Sequence, residues 1–141
     1  MSWSIRPATL DDVNGVLGLW REAGAEVTQT DDPEALRLLI DRDPGGLLVA
    51  IEDARPVGTI VAAWDGWRGQ MYRLAVHPSA RRRGLGTALV RAAEDRLTEL
   101  GARRVAAVVV DDETVALAFW DAMGYERAPH ARFTRTLQPR R

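Results

Sequence analysis

The sequence predicts a single α/β domain, a mixed sheet with helices on its faces. Three observations carry this. Residues 47–76 hold three β-rich runs separated by turn signals. Apolar residues recur at helical spacing in four other stretches. A near-continuous apolar run, Val105-Ala106-Ala107-Val108-Val109-Val110, lies between the last two of those stretches, as suits a strand buried on both faces. The length of 141 residues fits one domain, 1–141, and no repeat, low-complexity tract or long linker divides it.

Ser4–Pro7 reads as a short strand. Thr9, with Asp12 three residues on, is a plausible N-cap, and Val13, Val16, Leu17 and Trp20 carry a first helix to about Ala23. After a polar stretch, Asp32 caps a second helix with Pro33 in its first turn and Leu36, Leu39 and Ile40 on its apolar face; Pro44-Gly45-Gly46 ends it. Leu47–Ile51 and Val57–Trp64 read as a hairpin, and Gln70–Val76 as a third strand halted at His77-Pro78. Residues 86–100 are helical, with Leu89, Val90, Ala93 and Leu97 inward and Gly101 as the stop. A strand over Arg104–Val110, a helix over Glu113–Met123 and two final strands, Tyr125–Ala128 and Arg132–Leu137, complete the order β-α-α-β-β-β-α-β-α-β-β.

Composition excludes several chemistries. There is no cysteine, hence no disulfide, zinc-thiolate site or cysteine acyl-enzyme. His77 and His130 are too far apart for a local metal motif, and no metal is expected. No run reaches the ~18 apolar residues of a membrane span. The start lacks the apolar run of a secretory signal, so the expected location is the cytoplasm. All 19 cationic side chains are arginine, a planar fork suited to phosphate, and no lysine is present for a Schiff base. Residues 1–65 hold 5 Arg against 12 acids, net −7; residues 66–141 hold 14 Arg against 8, net +6. Either solvated faces are unevenly mixed, or the second half holds an anion site and the first tolerates cations.

Chemistry concentrates in Val76-His77-Pro78-Ser79-Ala80-Arg81-Arg82-Arg83-Gly84-Leu85-Gly86-Thr87. A strand ends, a loop of arginines and glycines follows, and a helix begins. The first amides of that helix lack intrahelical partners and sit at the positive end of its dipole, where phosphate binds. The alternative is a solvated basic loop. A Walker loop is excluded by the missing Gly-Lys-Ser/Thr ending, and a dinucleotide fingerprint by the missing third glycine and downstream acid.

Arg81-Arg82-Arg83-Gly84-Leu85-Gly86 resembles the phosphate-loop pattern [Gln/Arg]-x-x-Gly-x-[Gly/Ala] of the GCN5-related N-acetyltransferase (GNAT) family. Leu74-Ala75-Val76-His77-Pro78 is similar to the strand before that loop, and Phe119-Trp120-Asp121-Ala122-Met123-Gly124-Tyr125 to the family's last helix end. The likeness runs in order from Ile5-Arg6-Pro7-Ala8 onward. Trp64-Asp65-Gly66-Trp67-Arg68-Gly69 resembles a branch of small bacterial members.

The resemblance implies a GNAT-like fold with acetyl-CoA as cosubstrate. Backbone groups of Leu74 and Val76 would pair with the pantetheine arm where two strands splay. Amides from Arg82 through Gly84, Leu85, Gly86 and Thr87 would hold the diphosphate, with Arg81 and Arg83 beside it, and the helix bearing Trp120 would flank the cofactor's other side. A neutral amine would attack the thioester directly, the oxyanion meeting a backbone amide near Ala75 or Val76. Trp120 stands where the family's usual acid is tyrosine, Glu113 where asparagine is frequent, and Tyr72-Arg73 where a central-strand glutamate often serves as base. Tyr72 is therefore the first candidate for proton transfer or acceptor positioning, or else a strand tyrosine packed on the sheet; Tyr125 is expected in the core.

The acceptor would approach Glu22, Glu26, Asp31, Asp32 and Glu34, which either draw a protonated amine or form a solvated acidic loop. Trp20, Trp64 and Trp67 could line a cation pocket, although Trp20 lies on the apolar helix face. Asp65 and Arg68 read as turn-stabilising. The expected function is N-acetylation of a primary amine, on a small molecule or a protein. The alternative is a CoA-binding regulatory module with little turnover. Neither nucleic acid nor membrane is expected as a partner, and a homodimer is left open.

Overall fold

The computed structural model describes residues 2–25, 28–109 and 114–138. The chain divides into two units, Met1–Val108 and Val109–Arg141. The first holds β1 (Ser4–Pro7), a 3-10 turn (Leu10–Asp12), α1 (Val13–Glu22), α2 (Pro33–Arg42), β2 (Leu47–Glu52), β3 (Arg55–Trp64), β4 (Gly69–Val76), a second 3-10 turn (Pro78–Ala80), α3 (Leu85–Leu100) and β5 (Val105–Ala107). The second holds α4 (Thr114–Ala122).

Caps set the helices where the sequence places them. The Thr9 amide donates to Asp12 Oδ2 at 2.7 Å, closing a capping box. Asp32 Oδ1 accepts from the Ala35 amide at 2.8 Å, with Pro33 in the first turn of α2. The expected hairpin is present as β2 and β3, joined through Asp53 and Ala54 at φ 51° and 62°. Successive positive φ values at both linking residues fit a type I′ turn, which matches strand twist.

The sheet order is β1-β2-β3-β4-β5; the first four strands pair antiparallel and β5 runs parallel to β4. One face carries α1 and α2: Val13, Val16, Leu19 and Trp20 of α1, with Leu36 and Ile40 of α2, form one buried cluster with Leu47, Val49 and Val61. Leu85 and Leu89 of α3 lie over Gly58, within about 3 Å of where a Cβ would stand, and Leu97 lies over Gly69. With helices on both faces, β2 and β3 are buried along nearly their whole length.

Two expectations are corrected. The strand expected over Arg104–Val110 is shorter, β5, and it lies at the sheet edge with Val105 and Ala107 half-buried and Ala106 exposed. An apolar run reports burial propensity but not which strands flank it. Tyr125–Ala128 and Arg132–Leu137 form no strand. Phe133 and Leu137 are 93% and 82% exposed, and Arg135 breaks the apolar alternation between them. A strand needs a ladder partner as well as propensity, and none is paired with this segment among the described residues.

Candidate active site

The site begins with an extra residue in β4. Thr59 pairs with Ala75 and Val61 with Tyr72, so three steps on β4 oppose two on β3. This is a β-bulge, and Arg73 sits in it at φ 53°. Trp20 Nε1 donates to Thr59 Oγ1 at 2.8 Å, and Thr59 Oγ1 donates to the Arg73 carbonyl at 3.0 Å. A buried indole and hydroxyl thus fasten the bulge from the α1 side. Tyr72 packs against the α1–α2 cluster, and the Arg73 guanidinium lies 5.0 Å from the centre of the Trp20 ring, so both neighbours turn to one face.

Beyond the bulge one edge of β4 is open. β5 pairs only with Gly69, Gln70 and Met71, and the Val108 amide donates to the Met71 carbonyl at 3.0 Å. From Tyr72 to Val76 no described strand lies on that side. The His77 amide donates to the Val57 carbonyl at 2.8 Å, so alternation turns Val76 to the open edge and Ala75 towards Thr59 on β3. The Ala75 amide, expected as the oxyanion donor, faces the neighbouring strand, whereas that of Val76 faces the opening. Leu74 shares the bulge with Arg73.

The β4–α3 loop then presents its amides. Arg82 (φ 63°) and Gly84 (φ 80°) are left-handed, and Gly84 leads directly into α3 at Leu85. A left-handed residue followed by a helical one curls successive N–H groups into an anion-binding nest. The first helical bond here is from the Ala88 amide to the Gly84 carbonyl, 3.0 Å; among the described residues no protein acceptor takes the amides of Arg82 through Thr87. A Cβ on Gly84 would meet nothing within 4 Å. An open, donor-lined cradle at a helix N-terminus fits a diphosphate.

The three arginines separate. Arg81 turns back onto the protein, Nε donating to the Val76 carbonyl and Nη2 to the Ala23 carbonyl, each at 3.1 Å. Arg83 Nη2 meets Glu52 Oε2 at 2.6 Å, with Glu52 only 9% exposed, and its guanidinium lies 5.3 Å from the Trp3 ring centre. Arg82 is exposed. The sequence treats the triplet as three equivalent cations by a phosphate; the fold commits two to its own carbonyls and a carboxylate.

The acidic residues also separate. Glu22 Oε2 accepts from His77 Nε2 at 2.6 Å; the ring's other nitrogen accepts from the Ser79 amide at 3.1 Å, which fixes the proton on Nε2. Asp31 pairs with Arg73 and accepts from the Thr28 amide at 2.7 Å. Asp32 caps α2, and Glu34 stands exposed in its first turn. Glu26 and Glu113 lie outside the described residues. Hence Asp31 and Asp32, expected at an acceptor surface, serve the α1–α2 connection itself. Sequence reasoning misses Arg73 and Glu52 as structural partners. A lone acid closing the apolar strand Leu47–Glu52 is the available signal for Glu52; none marks the bulge.

Tyr72 donates its hydroxyl proton to Gln70 Oε1. Trp20 is buried in the core, whereas Trp67 is exposed on the β3–β4 turn with Arg68 stacked 4.1 Å over its ring, so these two tryptophans do not share a pocket. Asp65 Oδ1 accepts from the amides of Arg68 and Trp67 at 2.6 and 2.8 Å, which holds its carboxyl below the usual aspartate range and stabilises the turn. In the second unit Trp120 is buried, in edge contact with Tyr125 at 4.9 Å and Phe119 at 5.4 Å.

The model of the acetyltransferase (GNAT) family matches residues 15–125. Among solved structures, the chain is similar to the PaiA N-acetyltransferase of Thermoplasma acidophilum in complex with coenzyme A, at 19% identity over 93% of this chain and 94% of that one, TM-score 0.82. It is similar to Ard1 of Thermoplasma volcanium, at 22% identity over 88% and 82%, TM-score 0.78. It is also similar to the aminoglycoside N-acetyltransferase AAC(6')-Iy in complex with CoA, at 19% identity over 96% and 95%, TM-score 0.75. At these identities the likeness is one of fold.

Proposed function

The chain belongs to the acetyltransferase (GNAT) family, and from that premise we propose that it transfers an acetyl group from acetyl-CoA to a primary amine, of a small molecule or a protein, by direct attack. The whole chain, 1–141, acts as one catalytic domain in the cytoplasm, without nucleic acid or membrane as partner. Among the described residues no helix is long and apolar enough to cross a membrane. The carrying observation is the run of amides from Arg82 through Thr87 that no acceptor takes among the described residues, beside the open edge of β4.

Leu85, Gly86 and Thr87, with Gly84, would hold the diphosphate through main-chain amides, with Arg82, exposed and without a side-chain partner among the described residues, as the nearby cation. The Leu74 main chain would receive the pantetheine arm. Acetyl-CoA supplies, when bound, an acetyl group on a thiol leaving group, which a neutral amine takes up without a protein-bound intermediate. Tyr72 serves the acceptor: donating its own proton to Gln70 leaves its oxygen lone pairs to accept from the amine N–H. The Val76 amide, turned to the open edge of β4, would donate to the thioester carbonyl oxygen as it gains charge.

Calorimetry with CoA tests the cradle, and free-thiol release from acetyl-CoA across an amine panel tests the reaction. Trp120, an indole of negligible acidity at the chain position where the family's usual acid is tyrosine, favours a second reading, a CoA-binding regulatory module. CoA binding without thiol release on any amine would select it. Absence of CoA binding would sink both.

A further inference from the structure

We infer that Arg81 is a positioning residue that couples occupation of the diphosphate loop to the end of α1, rather than a ligand of the phosphates. The inference rests on the CoA reading of the loop.

A single planar guanidinium spans two elements: Nε holds the Val76 carbonyl, at the end of β4, and Nη2 holds the Ala23 carbonyl, just past α1. A helix C-terminus carries unsatisfied carbonyls and partial negative charge, so a cation there completes both. Arg81 is itself the residue on which the 3-10 turn ends and from which the amide-bearing loop begins. A second tie runs alongside, from His77 Nε2 to Glu22 Oε2. A third joins the next connection to the bulge, through Arg73 and Asp31. The end of α1 and the described residues after it are thus fastened to the same strand-loop segment that presents the amides. Fixing those amides on a ligand also fixes Arg81, and through it the last turn of α1. Ligand-linked ordering of this kind is a coupling free energy between two sites.

Arginine is suited to this because its fork reaches two carbonyls with fixed geometry; lysine keeps the charge but not the fork. The two roles separate cleanly. A phosphate ligand lost by substitution costs affinity for CoA. A positioning residue lost by substitution leaves that affinity and removes the distant response.

The test is amide hydrogen exchange, read residue by residue by NMR, at Ala23, Gly24 and Ala25, whose amides are bonded to Leu19, Arg21 and Trp20 carbonyls. In the unaltered protein, saturating CoA slows their exchange at least about fivefold. In Arg81→Ala, CoA still binds within about threefold of the unaltered dissociation constant, but this slowing is lost. Arg81→Lys retains affinity and restores at most part of the slowing, and it stands in should the alanine variant fail to fold. A tenfold or greater loss of CoA affinity in Arg81→Lys, or an unchanged exchange response in either variant, overturns the proposal. No CoA binding to the unaltered protein overturns the reading of the loop and the coupling together; CoA binding without any response at α1 overturns the coupling alone.

Discussion

Gly84→Ala separates what the diphosphate loop owes to backbone conformation from what it owes to a ligand. Gly84 holds φ 80° and opens α3; Gly101 holds φ 109° and closes the same helix. A Cβ meets nothing within 4 Å at either position, so neither alanine clashes with the protein. Each substitution therefore costs only the left-handed conformation, about 1 kcal/mol. For a chain of this size that lowers Tm by roughly 4 °C. The two variants should match in thermal denaturation and diverge in calorimetry with CoA. At Gly84 the strained left-handed turn is the one that presents the Leu85, Gly86 and Thr87 amides, so the dissociation constant should rise about tenfold or more, some 1.4 kcal/mol. At Gly101 it should remain within about twofold. Equal CoA affinities in the two variants would refute the assignment of the α3 N-terminus as the diphosphate site, whatever their stabilities.

Glu52→Gln removes one partner of a largely buried ion pair and leaves the Arg83 charge without its carboxylate; urea denaturation should show a loss of about 3 kcal/mol. Trp20→Phe deletes the donor to Thr59 and should cost about 1–2 kcal/mol in the same assay, with the β4 bulge losing its brace. Ala54→Gly relieves a left-handed alanine in the β2–β3 turn and should raise Tm by roughly 4 °C. Asp12 is held below its ordinary value of 3.8 chiefly by the side-chain hydrogen bond from Arg6. A depressed carboxyl stabilises the folded state above that value and loses the contribution as pH falls through the lower folded value. Asp12→Asn should therefore lower stability by about 1 kcal/mol at pH 7, with the two denaturation curves converging in acid below 3.8.

Local signals carried the elements well. Asp32 before Pro33 set the start of α2, Thr9 with Asp12 set the turn into α1, and the glycine at 101 ended α3, because capping is decided within one helical turn. The order strand, basic loop, helix was legible for the same reason, and the amides it promised have no protein acceptor among the described residues. The final strands were not legible. Residues 125–138 have strand-like composition, but pairing depends on a partner that no local pattern reports. Nor did the run after Arg104 reveal that it would be an edge.

What the sequence determined alone is therefore the four helices and the first four strands, the family likeness and the position of the strand-loop-helix turn, all short-range properties of backbone and caps. The assignment of side chains to partners belongs to the tertiary structure. Arg81, Arg82 and Arg83 are indistinguishable as letters. They differ because the left-handed turn at Arg82 sends its neighbours to a helix end and to a buried carboxylate, contacts 58 and 31 residues away in the chain. The bulge at Arg73 is likewise fixed by Trp20 and Thr59 across the sheet. Such long-range meetings depend on how elements pack, and it is packing that decides which charges stay free for a ligand.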